Sequence, residues 1–241
     1  MYKNYRVSVI VPALNEEDAI TKVITALLSL ESAEKERVVD YIIACDNGST
    51  DLTCANAVKA GAYVVQQPLR GYGIACLTAI EHLPECDIVL FVDGDDSCYV
   101  PQAMRLLDGI VQGDEIAIGS RNLGIIEPGA LTFPQRFGNW LAAKLIYLFW
   151  RYRLTDLGPF RAIRLSALKE LNMQDKTFGW TVEMQVKAII QKKIMHEYPV
   201  DSKVRIGTSK ISGTINGAIK AGVGILSMIA KLRFGNFANK K

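Results

Sequence analysis

The sequence predicts an α/β protein in which a mostly parallel central sheet is flanked by helices. Two observations predict this class. Short apolar runs rich in β-branched residues alternate with segments of helical periodicity through the first half of the chain, and several of these runs end in an acidic or glycine-containing turn. Strands that alternate with helices favour a parallel sheet covered on both faces. With 241 residues, 49% of them hydrophobic, the chain is long enough to bury such a core.

The first strand is predicted at residues 7–11, where Pro12 ends it. Asn15 is then predicted to cap a helix whose first turn contains three acidic residues, 16–18, as the helix dipole favours. Further strands are predicted at 41–45, 62–65, 87–92, 115–119 and 160–163, with His196 in a last one, and further helices at 55–60, 71–82, from 101, at 140–153, at 181–191 and at 211–230.

Asp93 and Asp95 follow the apolar run 87–92 and are the most informative pair in the chain. Two carboxylates two residues apart at the end of a strand can reach one divalent cation, at the sheet edge where α/β proteins bind ligands. Hard oxygen ligands suit Mg²⁺ or Mn²⁺, which commonly share their coordination shell with substrate phosphates. A second acidic turn at 46–51 follows another predicted strand. The pattern therefore indicates a phosphorylated substrate.

Two apolar helices are predicted in the second half. The helix at 140–153 contains aromatic residues together with three cations, so it fits either a helix at a membrane interface or one that packs across the sheet. Residues 211–230 are long enough to span a bilayer, but they include Asn216, Lys220 and four glycines. We therefore expect a second peripheral or core-packing helix there.

The composition indicates in which cellular compartment the protein is expected and which class of molecule it is expected to bind. The five cysteines lack metal-ligand spacing and are expected to be reduced, mostly buried thiols. Residues 186–241 contain eleven Lys or Arg against two Asp or Glu, which indicates an anionic partner. No zinc, basic-zipper or RNA-binding signature favours nucleic acid. Residues 1–6 contain no signal-peptide core. We expect a cytoplasmic protein in peripheral contact with the cytoplasmic face of a membrane.

Six segments together resemble one enzyme family. They are Val-Pro-Ala-Leu-Asn-Glu at 11–16, Asp-Asn-Gly-Ser-Thr-Asp at 46–51, Asp-Gly-Asp at 93–95, Gly-Ser-Arg at 119–121, Thr-Asp-Leu-Gly-Pro-Phe-Arg at 155–161 and Arg-Ile-Gly-Thr-Ser-Lys at 205–210. The chain resembles the family 2 inverting glycosyltransferases of GT-A fold, in the dolichol-phosphate mannosyltransferase and polyprenyl-phosphate glycosyltransferase branch. The resemblance implies a glycosyltransferase domain at 1–212, with a nucleotide-sugar half at 1–121 and an acceptor half at 122–212. A C-terminal helix and basic tail would occupy 213–241.

The resemblance also implies the site residues. Binding of the nucleotide sugar would involve Pro12, Ala13, Glu16, Asp46, Arg70, Gly71, Asp93, Gly94, Arg205 and Lys210. Asp46 would meet the base or ribose, and Asp93 and Asp95 would bind Mg²⁺ or Mn²⁺. Arg121 would lie near the acceptor phosphate, because a guanidinium presents a fixed fork of donors to phosphate oxygens. The implied catalytic residues are Asp95, Arg121 and Asp156.

The predicted reaction is inverting transfer of a hexose from a nucleotide diphosphate sugar to a polyprenyl or dolichyl phosphate. A phosphate acceptor needs positioning more than a strong base. An alternative is a family 2 enzyme that acts on a hydroxyl acceptor, with Asp156 or Glu183 as the general base. A non-catalytic nucleotide-sugar binding module and a nucleotidyltransferase rank lower. GDP-mannose and UDP-glucose both remain open as donors, and the oligomeric state is not indicated.

The sequence departs from the family pattern at three places, which together involve four residues. Asn47 stands where a second aspartate is frequent, and Ser97 stands where some relatives have a glutamine near the metal. Gly158 and Pro159 replace the commoner Ser-Gly pair. Asn47 bears on the selectivity for the base, Ser97 on an auxiliary contact to the metal, and the pair Gly158 and Pro159 on the acceptor loop.

Overall fold

The computed structural model describes residues 1–207 and 215–235. Its strands are β1 Val7–Ala13, β2 Tyr41–Asp46, β3 Tyr63–Gln66, β4 Ile88–Phe91, β5 Ile116–Ser120, β6 Arg161–Arg164 and β7 Met195–Pro199. Its helices are α1 Ile20–Leu28, α2 Thr53–Lys59, α3 Tyr72–Glu81, α4 Ala103–Val111, α5 Phe133–Trp150, α6 Leu165–Leu171, α7 Trp180–Ile190 and α8 Ile215–Phe234.

All seven strands form one sheet in the order β3-β2-β1-β4-β6-β5-β7. Four of the six neighbouring pairs are parallel, and β6 alone runs antiparallel to its neighbours β4 and β5. Buried apolar side chains form one core on each face of the sheet. The predicted mostly parallel α/β architecture is confirmed.

The predicted cap at Asn15 is wrong. Helix α1 begins at Ile20, and the residue before it, Ala19, makes no side-chain cap. Asn15 has a left-handed backbone with φ of 53°, and its side-chain oxygen accepts a hydrogen bond from the backbone N–H of Thr50 at 2.8 Å. The side chain that could have capped the helix therefore joins the turn after β1 to the turn after β2.

Helix α5 begins seven residues earlier than the sequence predicts. Thr132 and Gln135 form a reciprocal capping box, and Pro134 lies in the first turn, where its missing N–H has no cost. The helix ends at Trp150 because Arg151 adopts a left-handed conformation, with φ of 58°. Helix α6 was not predicted at all.

Helix α8 packs against α5 and α7. At its end, the rings of Phe234 and Phe149 lie edge to face at 5.7 Å. The part of the predicted 211–230 segment before residue 215 lies outside the described residues. Across the described ranges, no helix combines the length and the apolar character needed to cross a bilayer.

The topology assembles the site at one edge of the sheet. Because β1, β2, β4, β5 and β7 all run in the same direction, their carboxyl ends lie along this edge. The motif residues that follow those strands are consequently brought together, although they are separated by up to about two hundred residues in the chain.

Candidate active site

Asp93 and Asp95 lie just beyond the end of β4 and line one cavity. Burial, and then the negative charge of Asp95, raise the pKa of Asp93 to about 7. Tyr72 donates its hydroxyl to Asp93 Oδ1 at 3.0 Å. Ser97 fixes Asp95 Oδ1 with its backbone N–H at 3.0 Å and its hydroxyl at 2.6 Å. Ser97 thus orients one of the two carboxylates that are predicted to bind the metal.

This carboxylate pair fits a divalent cation. Asp95 is buried and Asp93 is half-buried, so a positive ion would relieve the repulsion between the two carboxylates, and their hard oxygens suit Mg²⁺ or Mn²⁺. Among residues 1–207 and 215–235, no group of three or more His, Cys, Asp or Glu side chains is gathered as a metal site. The protein therefore offers a pair of ligands, which fits a cation that takes its remaining ligands from a diphosphate.

Arg205 connects the carboxylate of Asp95 to the turn after β1. Its Nη1 lies 3.1 Å from Asp95 Oδ2, and its Nη2 donates to Glu16 Oε1. The chain around it is attached to the same place, because the backbone N–H of Ile206 donates to the carbonyl of Asp95 at 3.0 Å. Lys203 forms an ion pair with Asp96 at 2.7 Å. The other predicted cation of this segment, Lys210, lies outside the described residues.

Arg121 follows β5 and lines the cavity with its guanidinium held by Asp156. Asp156 Oδ2 accepts from Arg121 Nε at 2.7 Å and from its backbone N–H at 2.8 Å, while Oδ1 accepts from Nη2 at 2.7 Å. Asp156 is 1% exposed. Burial opposes the charge of Arg121, but the carboxylate of Asp156 outweighs that effect, so the pKa of Arg121 is raised above its ordinary value. The same carboxylate fixes the direction of the guanidinium.

The predicted nucleoside residues lie side by side at the ends of β1 and β2. Ala13 pairs with Asp46 across the two strands. Gly94 reaches the same place, since a Cβ on it would lie 3.3 Å from the Cβ of Ala13 and 3.4 Å from the carbonyl of Pro12. Glu16 lines a second cavity of about 360 Å³ beside the turn after β1. Pro12, Ala13, Glu16, Asp46 and Gly94 therefore share one corner of the edge.

Gly71 and Arg70 lie at the entry to α3. The backbone N–H of Gly71 donates to Asn47 Oδ1 at 2.7 Å, and Asn47 Nδ2 donates to the carbonyls of Gln67 and Leu69. Asn47 is thus engaged in holding the loop before α3. Arg70 is exposed on that loop and lines neither of the two cavities described here.

The cavity that contains Asp93, Asp95, Arg121 and Arg205 has a volume of about 310 Å³. Helices α5 and α8 and the loops beside them also line the cavity, with apolar residues such as Leu131, Leu157 and Ile225 and with the polar residues Gln135 and Asn139. A site of this form can bind a charged group at one part of its wall and an apolar group at another.

The profile of Glycosyl transferase family 2 matches residues 8–172. The chain belongs to this family. A Mycobacterium tuberculosis protein named as an uncharacterized glycosyltransferase is 29% identical over 223 residues, which cover 89% of this chain and 94% of the relative. The dolichyl-phosphate hexose transferase of Haloferax volcanii is 28% identical over 214 residues, covering 88% of this chain and 89% of that enzyme. This family 2 protein is therefore a glycosyltransferase, as its sequence predicts.

The fold of this family 2 chain is similar to that of a solved structure. Glucosyl-3-phosphoglycerate synthase from M. tuberculosis, in complex with Mn²⁺, UDP and phosphoglyceric acid, superposes with a TM-score of 0.73 at 20% identity. The match covers 96% of this chain and 79% of that one. The predicted GT-A fold is confirmed.

Sequence reasoning did not find every side chain that shapes the site. Tyr72 holds Asp93, and its position between two glycines was the available signal. Glu197 on β7 accepts from the backbone N–H groups of Thr155 at 2.9 Å and of Asp156 at 3.0 Å, which fixes the turn that carries Asp156. Nothing in the sequence around Glu197 indicates this role, because its partners lie about forty residues away.

Proposed function

We propose that this glycosyltransferase transfers a hexose from a nucleotide diphosphate sugar to the phosphate of a polyprenyl or dolichyl phosphate, with inversion and with Mg²⁺ or Mn²⁺. One observation carries the proposal. A single cavity combines the carboxylates of Asp93 and Asp95 and the guanidinium groups of Arg121 and Arg205 with apolar lining residues, among them Leu131, Leu157, Phe178 and Ile225. A donor diphosphate and a lipid phosphate together need such a combination.

The donor part of the site follows from Asp93, Asp95 and Arg205. A divalent cation bound by the two carboxylates would supply charge stabilisation for the departing nucleoside diphosphate. Arg205 would share the diphosphate charge, with Lys210 as its expected companion. Pro12, Ala13, Glu16, Asp46 and Gly94, beside them, would hold the nucleoside, with Arg70 and Gly71 expected near the nucleotide.

Arg121 would position the acceptor phosphate. Its hydrogen bonds to Asp156 use Nε and Nη2 and fix the orientation of the guanidinium. Nη1 can then donate to a phosphate oxygen in a fixed direction. Asp156 then acts on the acceptor through Arg121. A phosphate monoester has a second pKa of about 6 and is largely ionised near neutrality, so its attack needs no strong base.

The contacts of the two candidate bases favour a phosphate over a hydroxyl acceptor. Asp156 is engaged by Arg121, as described above. Glu183 is 2% exposed, pairs with Lys187 at 2.7 Å and accepts from the backbone N–H groups of Gln174 and Asp175. A general base must reach the proton that it removes, and both carboxylates are instead committed to internal partners.

The test is a transfer assay with purified protein, Mn²⁺ or Mg²⁺, a polyprenyl phosphate and separately labelled GDP-mannose and UDP-glucose. We expect label from one donor to enter the organic phase, and Asp95→Ala to abolish this. Glu85→Gln is the matched control, since Glu85 is an exposed carboxylate before β4, away from the carboxyl edge. Metal-dependent donor turnover without a lipid product would refute the lipid acceptor and favour a hydroxyl acceptor.

We further propose peripheral attachment to a membrane through α5. Phe133, Phe137 and Trp140 lie at helical spacing and are 79%, 51% and 54% exposed, and adjacent rings are 6.4 Å and 5.8 Å apart. Exposed aromatic groups beside cations such as Arg136 suit the interface of an anionic bilayer. The proposal concerns contact with the membrane surface, where the lipid acceptor would be found.

Flotation with anionic liposomes tests this attachment. We expect wild-type protein to float and the triple variant Phe133→Ser, Phe137→Ser, Trp140→Ser to remain in solution. The double variant Leu52→Ser, Val58→Ser removes exposed apolar side chains from the other half of the chain and should float like wild type. Equal flotation of the triple variant and the wild type would exclude α5 as the contact.

A further inference from the structure

The turn that carries Asp156 is held by side chains from several other elements. We call Thr155, Asp156 and Leu157 the Asp156 turn. Glu197 on β7 accepts from its first two backbone N–H groups, at 2.9 Å and 3.0 Å. Gln185 on α7 donates to the carbonyl of Asp156 at 2.9 Å. The backbone of the turn is therefore hydrogen-bonded both to the sheet and to a helix behind it.

Helix α5 holds the same turn through Asn139. The Oδ1 atom of Asn139 accepts from the backbone N–H of Leu157 at 2.8 Å. Its Nδ2 atom donates to the carbonyl of Thr155 at 3.2 Å. These two backbone groups lie on either side of Asp156, so one side chain of α5 fixes the chain before and after the residue that holds Arg121.

Asn139 contacts the turn because the chain reverses its direction after α5. The helix ends at Trp150, and Arg151 has a left-handed backbone, so residues 155–157 return alongside the helix. At 1.5 Å per residue, Asn139 lies roughly 16 Å along the axis from the end of the helix. Its hydrogen bonds therefore fix the Asp156 turn beside the first half of α5, far from the point where the two segments join.

The residue type at position 139 is explained by these bonds and not by the helix. Asparagine is a poorer helix former than alanine or leucine, because its side chain competes for backbone groups. Asn139 uses this capacity on the Asp156 turn. Its amide offers an acceptor and a donor at once, which neither aspartate nor leucine of similar size can do.

The place of Asp156 determines where the guanidinium of Arg121 points. The carboxylate makes three hydrogen bonds to Arg121, and Asn139 lines the same cavity as that guanidinium. A displaced turn would carry the carboxylate with it, and the guanidinium would follow because its fork of donors is rigid. A misplacement of about 1 Å at a reacting group can lower a rate about a hundredfold.

We infer that Asn139 is a positioning residue for the acceptor phosphate, and that it acts through Asp156 on the guanidinium of Arg121. This inference rests on the proposed function, in which Arg121 positions that phosphate. Asn139 also lies between Phe137 and Trp140, the exposed rings of the helix that is proposed to contact the membrane. It thereby fixes Arg121 relative to the helix at which a lipid acceptor would arrive.

A double-mutant cycle tests whether Asn139 acts through Arg121. Asn139→Ala and Asn139→Leu both remove the two hydrogen bonds to the turn, and both residues are good helix formers. Arg121→Lys keeps the positive charge but lacks the fork that binds Asp156. Each change at Asn139 is made in the wild type and in Arg121→Lys, because residues that act through one another give non-additive effects.

Two measurements report on the acceptor and one on the donor. Calorimetry with farnesyl phosphate gives the acceptor affinity without requiring turnover, and a transfer assay gives kcat/KM for the same acceptor. Calorimetry with UDP and GDP reports the donor site. Gln191→Ala is the matched control, since Gln191 also donates its side-chain amide to a backbone carbonyl, that of Glu170, but lines neither cavity.

We expect Asn139→Ala and Asn139→Leu to lower the affinity and kcat/KM for farnesyl phosphate roughly tenfold, the effect of losing about one hydrogen bond. In the Arg121→Lys background the same changes should lower both by less than about twofold, because the lysine has no fork to orient. Affinity for UDP and GDP should stay within about twofold in every variant, and Gln191→Ala should behave like the wild type.

A residue that only supports the fold would give a different pattern. An equal loss in both backgrounds, or a parallel loss of nucleotide affinity, would overturn the positioning role and leave the proposed function standing. Unchanged acceptor affinity and kcat/KM in both Asn139 variants would do the same. If the wild type neither bound farnesyl phosphate nor glycosylated it or a longer polyprenyl phosphate, the inference and the proposed lipid acceptor would both be overturned.

Discussion

The contacts of Arg205 affect how strongly Asp95 can bind a cation. It lies against the carboxylate of Asp95, which is proposed to bind the metal, and it also pairs with Glu16. Its Nε is buried and has no hydrogen-bond partner within residues 1–207 and 215–235. In this arrangement Arg205 is the counterion of Asp95, so a cation that arrives at Asp95 meets a positive charge already there.

Arg205→Ala should therefore strengthen the binding of Mn²⁺ alone and weaken the binding of a nucleoside diphosphate. Loss of an ion pair that is partly exposed corresponds to about 1 kcal/mol, or roughly fivefold in each affinity. Calorimetric titration with Mn²⁺, and separately with UDP and GDP in the presence of Mn²⁺, measures both. The opposite signs of the two effects distinguish a counterion from a residue that merely supports the fold.

Lys22→Ala is the matched control for this experiment. Lys22 pairs with Asp96 at 2.7 Å, so the change removes a nearby positive charge without touching Asp95. Its effect on Mn²⁺ affinity should be clearly smaller than that of Arg205→Ala. Weaker Mn²⁺ binding in Arg205→Ala would contradict the counterion role.

Asp156→Asn should cost about 3 kcal/mol of the free energy of unfolding. Asp156 is buried and makes three hydrogen bonds to Arg121, and breaking a buried pair leaves the partner charge uncompensated. Urea denaturation measures the loss. Asp108→Asn, whose partner Lys3 is exposed, should cost less than about 1 kcal/mol. A similar small loss for Asp156→Asn would show that the pair does not stabilise the protein.

At the scale of single residues, the sequence predicted those that lie in motifs. Four of the residues to which the resemblance assigns a role, Asp93, Asp95, Arg121 and Arg205, line one cavity, while the roles themselves stay predictions. The contacts that fix them, such as Tyr72 to Asp93 and Asp156 to Arg121, could not be predicted from spacing. They join residues that only the tertiary structure brings together.

At the scale of elements, periodicity located most helices and misplaced their ends. The start of α5 was missed because the capping box at Thr132 precedes the strongly apolar part of the helix. Conversely, asparagine is a residue type that often caps helices, but the side chain of Asn15 instead joins two turns by accepting a hydrogen bond. Local propensity describes what a segment can form, and packing decides between the options.

Helix α3 gives a test of such packing. Its N-terminal amides are occupied by a neighbouring loop, since Gly73 N donates to the carbonyl of Thr177 and Ile74 N to that of Lys176, both at 3.0 Å. A Cβ on Gly73 would lie 2.1 Å from the carbonyl oxygen of Asp175. We therefore expect Gly73→Ala to lower the free energy of unfolding by about 2 kcal/mol, through displacement of backbone.

Urea denaturation again provides the measurement for Gly73→Ala. Gly138→Ala is its matched control, because both glycines lie in helices and the space beside Gly138 is open. That control should be neutral, or stabilising by up to about 1 kcal/mol. Equal behaviour of the two variants would show that the loop at 175–177 can move away at little cost.

At the scale of the whole molecule, the sheet unites the two halves that the sequence distinguishes. Strand β6, from the half that the resemblance predicts to bind the acceptor, lies between β4 and β5, which precede Asp93 and Arg121 respectively. Its antiparallel direction was not predicted, because a short apolar run does not specify the direction in which it pairs. The residues predicted to bind donor and acceptor consequently lie at one edge of a single sheet.

A ligand that binds at this edge should stabilise the whole chain, and the metal and nucleotide should do so together. With Mn²⁺ and UDP or GDP at about a hundredfold excess over Kd, linkage gives about 2.7 kcal/mol, which raises Tm by roughly 5–10 °C for a chain of this size. The nucleotide without metal should raise Tm much less, because the negative charges of Asp93 and Asp95 then repel the diphosphate. Asp95→Asn should make the shifts with and without Mn²⁺ equal, and EDTA should reverse the gain only in the wild type. Differential scanning fluorimetry measures these shifts, and a metal-dependent increment that survives in Asp95→Asn would place the cation elsewhere.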